Sequence, residues 1–261
     1  MDISAKPRVI RKVGIVCGTP IRARLHKGKV RVTRLLFLAV LLMLVLPAAA
    51  FPPYRSTDAD TGDPYTLELR LGLVKADRED GETEVAAPLL RANFGLPNKI
   101  ELISEFEYLP EEDEFGDGAA GIKWIPLFGS EFSFGVETLV LLPIRPGDDG
   151  LGVEAQLLTT FWRERFRLHV NAGWVHDARV SPSVDGWRAS LLAEFPREGY
   201  RPGIELFAKD VENKSTDVRA GVGIIYDIGS FDIRTGLHVG LTDEAPDFSF
   251  SLWITTKLPF Q

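Results

Sequence analysis

Cysteine is almost absent from this chain. The single one, Cys17, lies near the N-terminus. Beyond it, disulfide scaffolding, thiol catalysis and cysteine-ligated zinc are excluded. Histidine is scarce as well. His169, His176 and His238 are the only ones after residue 50, and none has a partner at metal-ligand spacing. Neither a Gly-x-Ser-x-Gly motif nor a phosphate-cradling glycine loop is present. No metal, no cofactor and no catalytic residue is therefore expected. Long apolar runs are missing too. The best, Leu35 to Leu46, has twelve residues, against the ~20 that a membrane-spanning helix needs.

That run has a context. Ten of the 30 Lys and Arg residues precede it, and Pro47 and three alanines, Ala48 to Ala50, follow it. A basic stretch, a short apolar core and small residues at −3 and −1 predict a signal peptide over 1–50, cleaved after Ala50. Cleavage would leave 20 basic residues against 36 acidic ones, because only Asp2 is lost from the 37 acids, and 20 − 36 gives −16. So acidic a chain lacks the basic patches that nucleic acid demands.

What remains alternates. Residues 65–261 read as about 12 β-strands in which side chains switch faces with period two. Leu67, Leu69, Leu71 and Leu73 oppose Glu68, Arg70 and Gly72. Phe166, Leu168, Val170, Ala172 and Trp174 oppose Arg167, His169, Asn171 and Gly173. Two strands break the pattern: Pro88 interrupts 83–94 and predicts a bulge, and 118–125 reads as short. Connections also alternate. Acidic stretches such as 77–82, 110–117 and 143–149 follow odd strands, and tight turns such as 97–98 and 229–230 follow even ones.

One apolar face also suits a soluble sandwich. Predicted strands of about nine to twelve residues, aromatics near strand ends and charge crowded on the other face favour an antiparallel up-and-down transmembrane β-barrel. The expected location is the bacterial outer membrane. The expected surroundings are outer-membrane lipid, lipopolysaccharide and the barrel-assembly machinery. The acidic loops offer sites for ions that bridge lipopolysaccharide, or are simply solvated.

The polar face would line the lumen. Its candidates are Glu68, Arg70, Glu101, Glu105, Glu137, Glu154, Arg167, His169, Arg188, Arg219, Asp227, Arg234 and His238. Both signs are present, so these residues either pair across strands and hold the barrel together or line a pore. Ser190 and His169 share that face on neighbouring strands, and His238 points the same way, so a lipid-hydrolysing barrel is a further alternative. A soluble lipocalin-like binder is another.

The segment before the first strand, 51–64, contains Tyr54, Arg55, Thr57, Asp58 and Asp60. This lead-in, followed by Leu-Glu-Leu-Arg-Leu, resembles the family of MetA-pathway of phenol degradation proteins. The resemblance covers residues 51–260 and implies an outer-membrane barrel that admits small, apolar or aromatic solutes. It supplies no catalytic residues. Tyr54, Arg55, Asp58 and Asp60 are expected to form either a plug or an ordinary ordered N-terminus. The leading expectation is a passive channel; a closed structural barrel is the alternative.

Overall fold

The computed structural model describes residues 53–78 and 81–260. The expected signal peptide, 1–50, lies outside the described residues. Twelve strands follow in order: β1 (Thr66–Asp77), β2 (Thr83–Leu96), β3 (Ile100–Leu109), β4 (Glu114–Phe128), β5 (Phe132–Leu142), β6 (Gly152–Trp162), β7 (Arg167–Asp177), β8 (Val184–Glu194), β9 (Tyr200–Val211), β10 (Asp217–Ile228), β11 (Phe231–Gly240) and β12 (Phe248–Pro259). Each pairs antiparallel with its sequence neighbours. β1 pairs with β12 from Thr66↔Pro259 to Asp77↔Phe248, which closes the ring. Closure leaves no unpaired edge.

The alternation becomes an inside and an outside. Glu68, Arg70, Glu101, Glu105 and Glu137 are buried in the interior, whereas Leu71, Leu157, Ile204, Val222 and Ile254 are exposed on the outer wall. Exposed aromatics mark both rims. Trp124, Phe132, Phe161, Tyr226 and Phe231 lie toward the tight turns, and Phe115, Trp174, Trp187 and Phe248 lie toward the long loops. This apolar belt with aromatic borders is the surface a bilayer requires. Val222 is 53 % exposed in the middle of β10. Val222→Arg is expected to destabilise the lipid-embedded barrel by about 2–4 kcal/mol. Denaturant titration in lipid vesicles checks this; an unchanged midpoint would mean that the belt faces water.

The bulge expected at Pro88 is present: Ala87 and Pro88 together oppose Leu73, between the Gly72↔Leu89 and Val74↔Ala86 pairs. The short fourth strand is not. β4 begins at Glu114, inside the stretch expected to be an acidic loop, and continues past a second irregularity to Phe128. Phe115 explains the early start. It pairs with Tyr108 across the strands, and its ring lies 4.7 Å from that of Phe106. Acids and glycines around it hide the alternation, but the aromatic contact extends the ladder.

Candidate functional site

Inside the barrel, charge meets charge. Arg91 sits between Glu105 and Glu137, 3.4 Å from the latter, and its Nε donates to Asn93 at 2.9 Å. Glu68 is shared by Arg70, Arg234 and Lys257. Arg188 pairs with Glu154. His169 joins Thr160 Oγ1 at 2.9 Å and Glu194 Oε2 at 3.3 Å. At this depth desolvation would make an isolated charge prohibitive, so pairing is what lets the polar face exist.

Through this network runs the N-terminal segment. Tracing back from β1, the Gly62 amide donates to Glu101 at 2.8 Å and Asp60 pairs with Lys99 at 2.9 Å. The Ala59 amide donates to Thr160 at 2.8 Å, and Lys123 Nζ reaches both Asp58 and Thr57 at 3.1 Å. Thr57 exchanges two hydrogen bonds with Asn171, its amide donating at 2.9 Å and its carbonyl accepting at 3.0 Å. The Arg55 amide, the Ser56 amide and the Ser56 hydroxyl all donate to Glu205, at 2.9, 2.5 and 2.6 Å. Its partners lie on β3, β4, β6, β7 and β9, so the segment sweeps across the lumen. Burial would raise the Asp58 carboxyl, but the Lys123 ammonium overrides it and holds the group well below the usual carboxylate range.

Tyr54 lies buried against Leu192 and Ile225. The space comes from missing side chains. Gly203, Gly223 and Gly236 are cross-strand neighbours on β9, β10 and β11. A Cβ on Gly203 would meet Tyr54 Oη at 2.5 Å, and one on Gly236 would meet the Pro53 carbonyl at 2.6 Å. The three glycines form a lane into which Pro53 and Tyr54 fit.

Toward the long-loop end a cavity of about 390 Å³ opens, with Pro53, Tyr54 and Arg55 among its lining residues. Val74, Ala86, Leu89 and Trp253 give it an apolar side; Arg188, Phe207, Lys209 and Arg219 stand across from them. At its rim Arg179 binds Asp177 and Asp117. Burial alone would lower the Arg179 guanidinium, yet these carboxylates push it above its ordinary range.

Of the residues expected in the lumen, Glu68, Arg70, Glu101, Glu105, Glu137, Glu154, His169, Arg219, Arg234 and His238 are buried there, and Arg167 and Arg188 are half-buried. Asp227 is the exception. It is exposed beside the 229–230 turn, because its strand outruns the enclosed interior at that end. Among the described residues, the hydrogen bonds of the hydrolase candidates go to other partners. Ser190 donates to Asn171 at 3.1 Å, His169 serves Thr160 and Glu194, and His238 binds Glu205 at 2.8 Å. Polar groups do not line the lumen alone: Leu139, Leu141, Leu158, Val175, Leu192, Phe207 and Ile225 all occupy inward positions and are buried. Their inward parity was readable from the strands. The glycine lane was the overlooked signal, three glycines at polar-face positions on consecutive strands.

These features define a closed antiparallel barrel of the outer-membrane type. The solved structures that it resembles are of that kind. The COG4313 outer membrane channel from Pseudomonas putida F1 matches with a TM-score of 0.59 at 11 % identity, covering 77 % of this chain and 98 % of that one. The NanC porin matches with a TM-score of 0.56 at 9 % identity, over 74 % and 100 % of the two chains. The KdgM porin, solved in complex with disordered oligogalacturonate, matches with a TM-score of 0.55 at 11 % identity, over 75 % and 99 %. No family model matches the chain, including any for the phenol-degradation resemblance, and no curated protein matches it.

Proposed function

We propose that this protein is an outer-membrane channel for small solutes whose lumen is occluded by its own N-terminal segment, residues 53–62. The observation that carries this reading is the way the segment is held. Its grip is a ladder of hydrogen bonds to side chains of the lumen wall, not a covalent or strand-paired attachment. Each such bond is worth about 1–3 kcal/mol net, more where a carboxylate accepts, and none is covalent, so release of the segment breaks no bond of the chain. The apolar side of the cavity, together with the resemblance in the lead-in, supports small apolar or aromatic solutes. Outer-membrane lipid, lipopolysaccharide and the barrel-assembly machinery are the surroundings that this reading implies, and secretion by the 1–50 signal peptide is the route. No catalytic role is assigned to any residue.

The dense buried ion pairs equally suit the second reading, a closed structural barrel. Planar-bilayer recordings separate the two. The full chain and a variant lacking residues 53–62 would be compared, with heat-dependent gel migration verifying that both form barrels. A channel gives rare or small steps with the full chain and sustained larger steps with the variant. Silence from both folded forms sinks the channel reading in favour of the structural one.

A further inference from the structure

The cavity above the N-terminal segment carries opposite charge on opposite walls. Glu84, Glu107 and Asp117 line it from β2, β3 and β4; Arg188, Lys209 and Arg219 line it from β8, β9 and β10. In a ring of twelve, β3 and β9 stand six apart (9 − 3), which is diametrically opposite. Much of this charge is already matched: Arg188 to Glu154, Arg219 to Asp217, Asp117 to Arg179. Four groups are not. Among the described residues, Glu107 and, at the exposed rim, Glu84 on one side make no ion pair within 4 Å, and neither do Lys209 and Arg55 on the other. Arg55 reaches this side from the N-terminal segment, its guanidinium 5.3 Å from the Phe207 ring, with Arg188 at 5.4 Å from the same ring.

Carboxylates without a close ion-pair partner, facing cations that likewise lack one across a partly enclosed cavity, make a directed field. A monoanion or a monocation placed there gains from one wall and is repelled by the other. A molecule carrying both charges gains from each. Beside the acidic wall, across from the basic one, lie Val74, Ala86, Leu89 and Trp253, and Trp253 packs over Gly72, where a Cβ would meet the indole at 2.2 Å. That surface takes an apolar body. The volume falls at the low end of the roughly 300–1,000 Å³ range of small-molecule sites.

We propose that this cavity is a binding site for a small zwitterion with an apolar body, its ammonium toward Glu84 and Glu107 and its carboxylate toward Lys209 and Arg55. The proposal deepens the channel reading by naming the solute class, and it rests on that reading for its role in passage.

Binding is measured by calorimetry on the detergent-solubilised full chain, with three probes of one shape: phenylalanine, 3-phenylpropionate and phenethylamine. Phenylalanine is expected to bind about tenfold more tightly than either singly charged analogue, as a second close charge contact allows. Lys209→Met should weaken phenylalanine and phenylpropionate while sparing phenethylamine. Glu107→Gln should weaken phenylalanine and phenethylamine while sparing phenylpropionate. Equal affinities for the three probes, a preference for either singly charged one, or no binding at all overturns the proposal. The probe comparison on the unaltered chain stands even where a variant fails to fold. Conductance plays no part in this measurement: a barrel that binds phenylalanine yet never conducts refutes the channel, and one that conducts without binding refutes the site.

Discussion

Glu205→Ala is expected to open the reconstituted barrel, raising its conducting time about a hundredfold. Glu205 is buried and accepts from the Arg55 amide, the Ser56 amide, the Ser56 hydroxyl and His238. Alanine removes the acceptor from all of them. In the docked arrangement the three donors of the segment are then left without a partner, whereas in the released arrangement they find water. At the low end of the about 1–3 kcal/mol that each unsatisfied buried donor costs, the docked state loses ~3 kcal/mol. Every 1.4 kcal/mol is about a factor of ten in the equilibrium, so the shift is near a hundredfold. Docking is open to such a change because ordering each residue of a segment costs about 1–2 kcal/mol of backbone entropy, which leaves little surplus. Single-channel recording reads the effect, and limited proteolysis near residues 53–62 gives a second readout. Glu164→Ala, at an exposed turn position, is the control. A folded Glu205→Ala barrel that conducts like the original would refute the claim that this carboxylate latches the segment.

The largest expected loss of stability is at Arg91. Its guanidinium lies between two carboxylates that are each about as buried as it is: Glu105, Glu137 and Arg91 expose 1 %, 2 % and 3 % of their surface. Arg91→Met leaves Glu105 without its ion-pair partner and Glu137 with only the Gln156 amide as a direct contact. Breaking a buried pair in this way costs about 3–5 kcal/mol. Thermal unfolding followed by gel migration should show a markedly lower transition. Adding Glu105→Gln and Glu137→Gln to Arg91→Met should recover part of the loss, since the unpaired charges go with the carboxylates. Arg163 gives the contrast. Its contact with Glu131 is 3.8 Å long and largely exposed, and exposed pairs of this kind are worth about 0–1 kcal/mol. A drop no larger at Arg91 than at Arg163 would show that the lumen is wet enough to screen its charges.

The barrel itself was readable because period two is a strong local signal. Leu67 to Leu73, or Phe166 to Trp174, states which face is which without reference to any other strand. Depth and partnership are not local. Asp227 has inward parity, yet it stands exposed at a rim, since parity says nothing of where the enclosed interior ends. Phe207 and Leu139 also have inward parity. Their burial depends on other elements: Leu139 clusters with Ile103 and Val175 from other strands, and Phe207 meets Arg55 from 152 positions away (207 − 55). The start of β4 was hidden because Glu114, Gly116 and Asp117 look like loop residues; Phe115 binds them into the ladder through a neighbouring strand. Tyr54, Arg55, Asp58 and Asp60 stand out only through the resemblance of the lead-in. The acceptors that hold the segment through Arg55, Ser56, Thr57, Ala59 and Gly62 are Glu205, Asn171, Thr160 and Glu101; they are scattered over a hundred positions and share only a face.

That scatter bears on the order of assembly. Ser56 and Glu205 are 149 positions apart, and Thr57 and Asn171 are 114 apart. Each hairpin of the wall forms from neighbours in the chain, whereas the lumen-crossing bonds exist only after β3 through β9 have taken their places. Loop-closure entropy for such distant pairs must be met before any of them forms. On the channel reading, the wall is thus built first and its own leading segment is seated last, so a newly closed barrel begins life unobstructed and then seals itself.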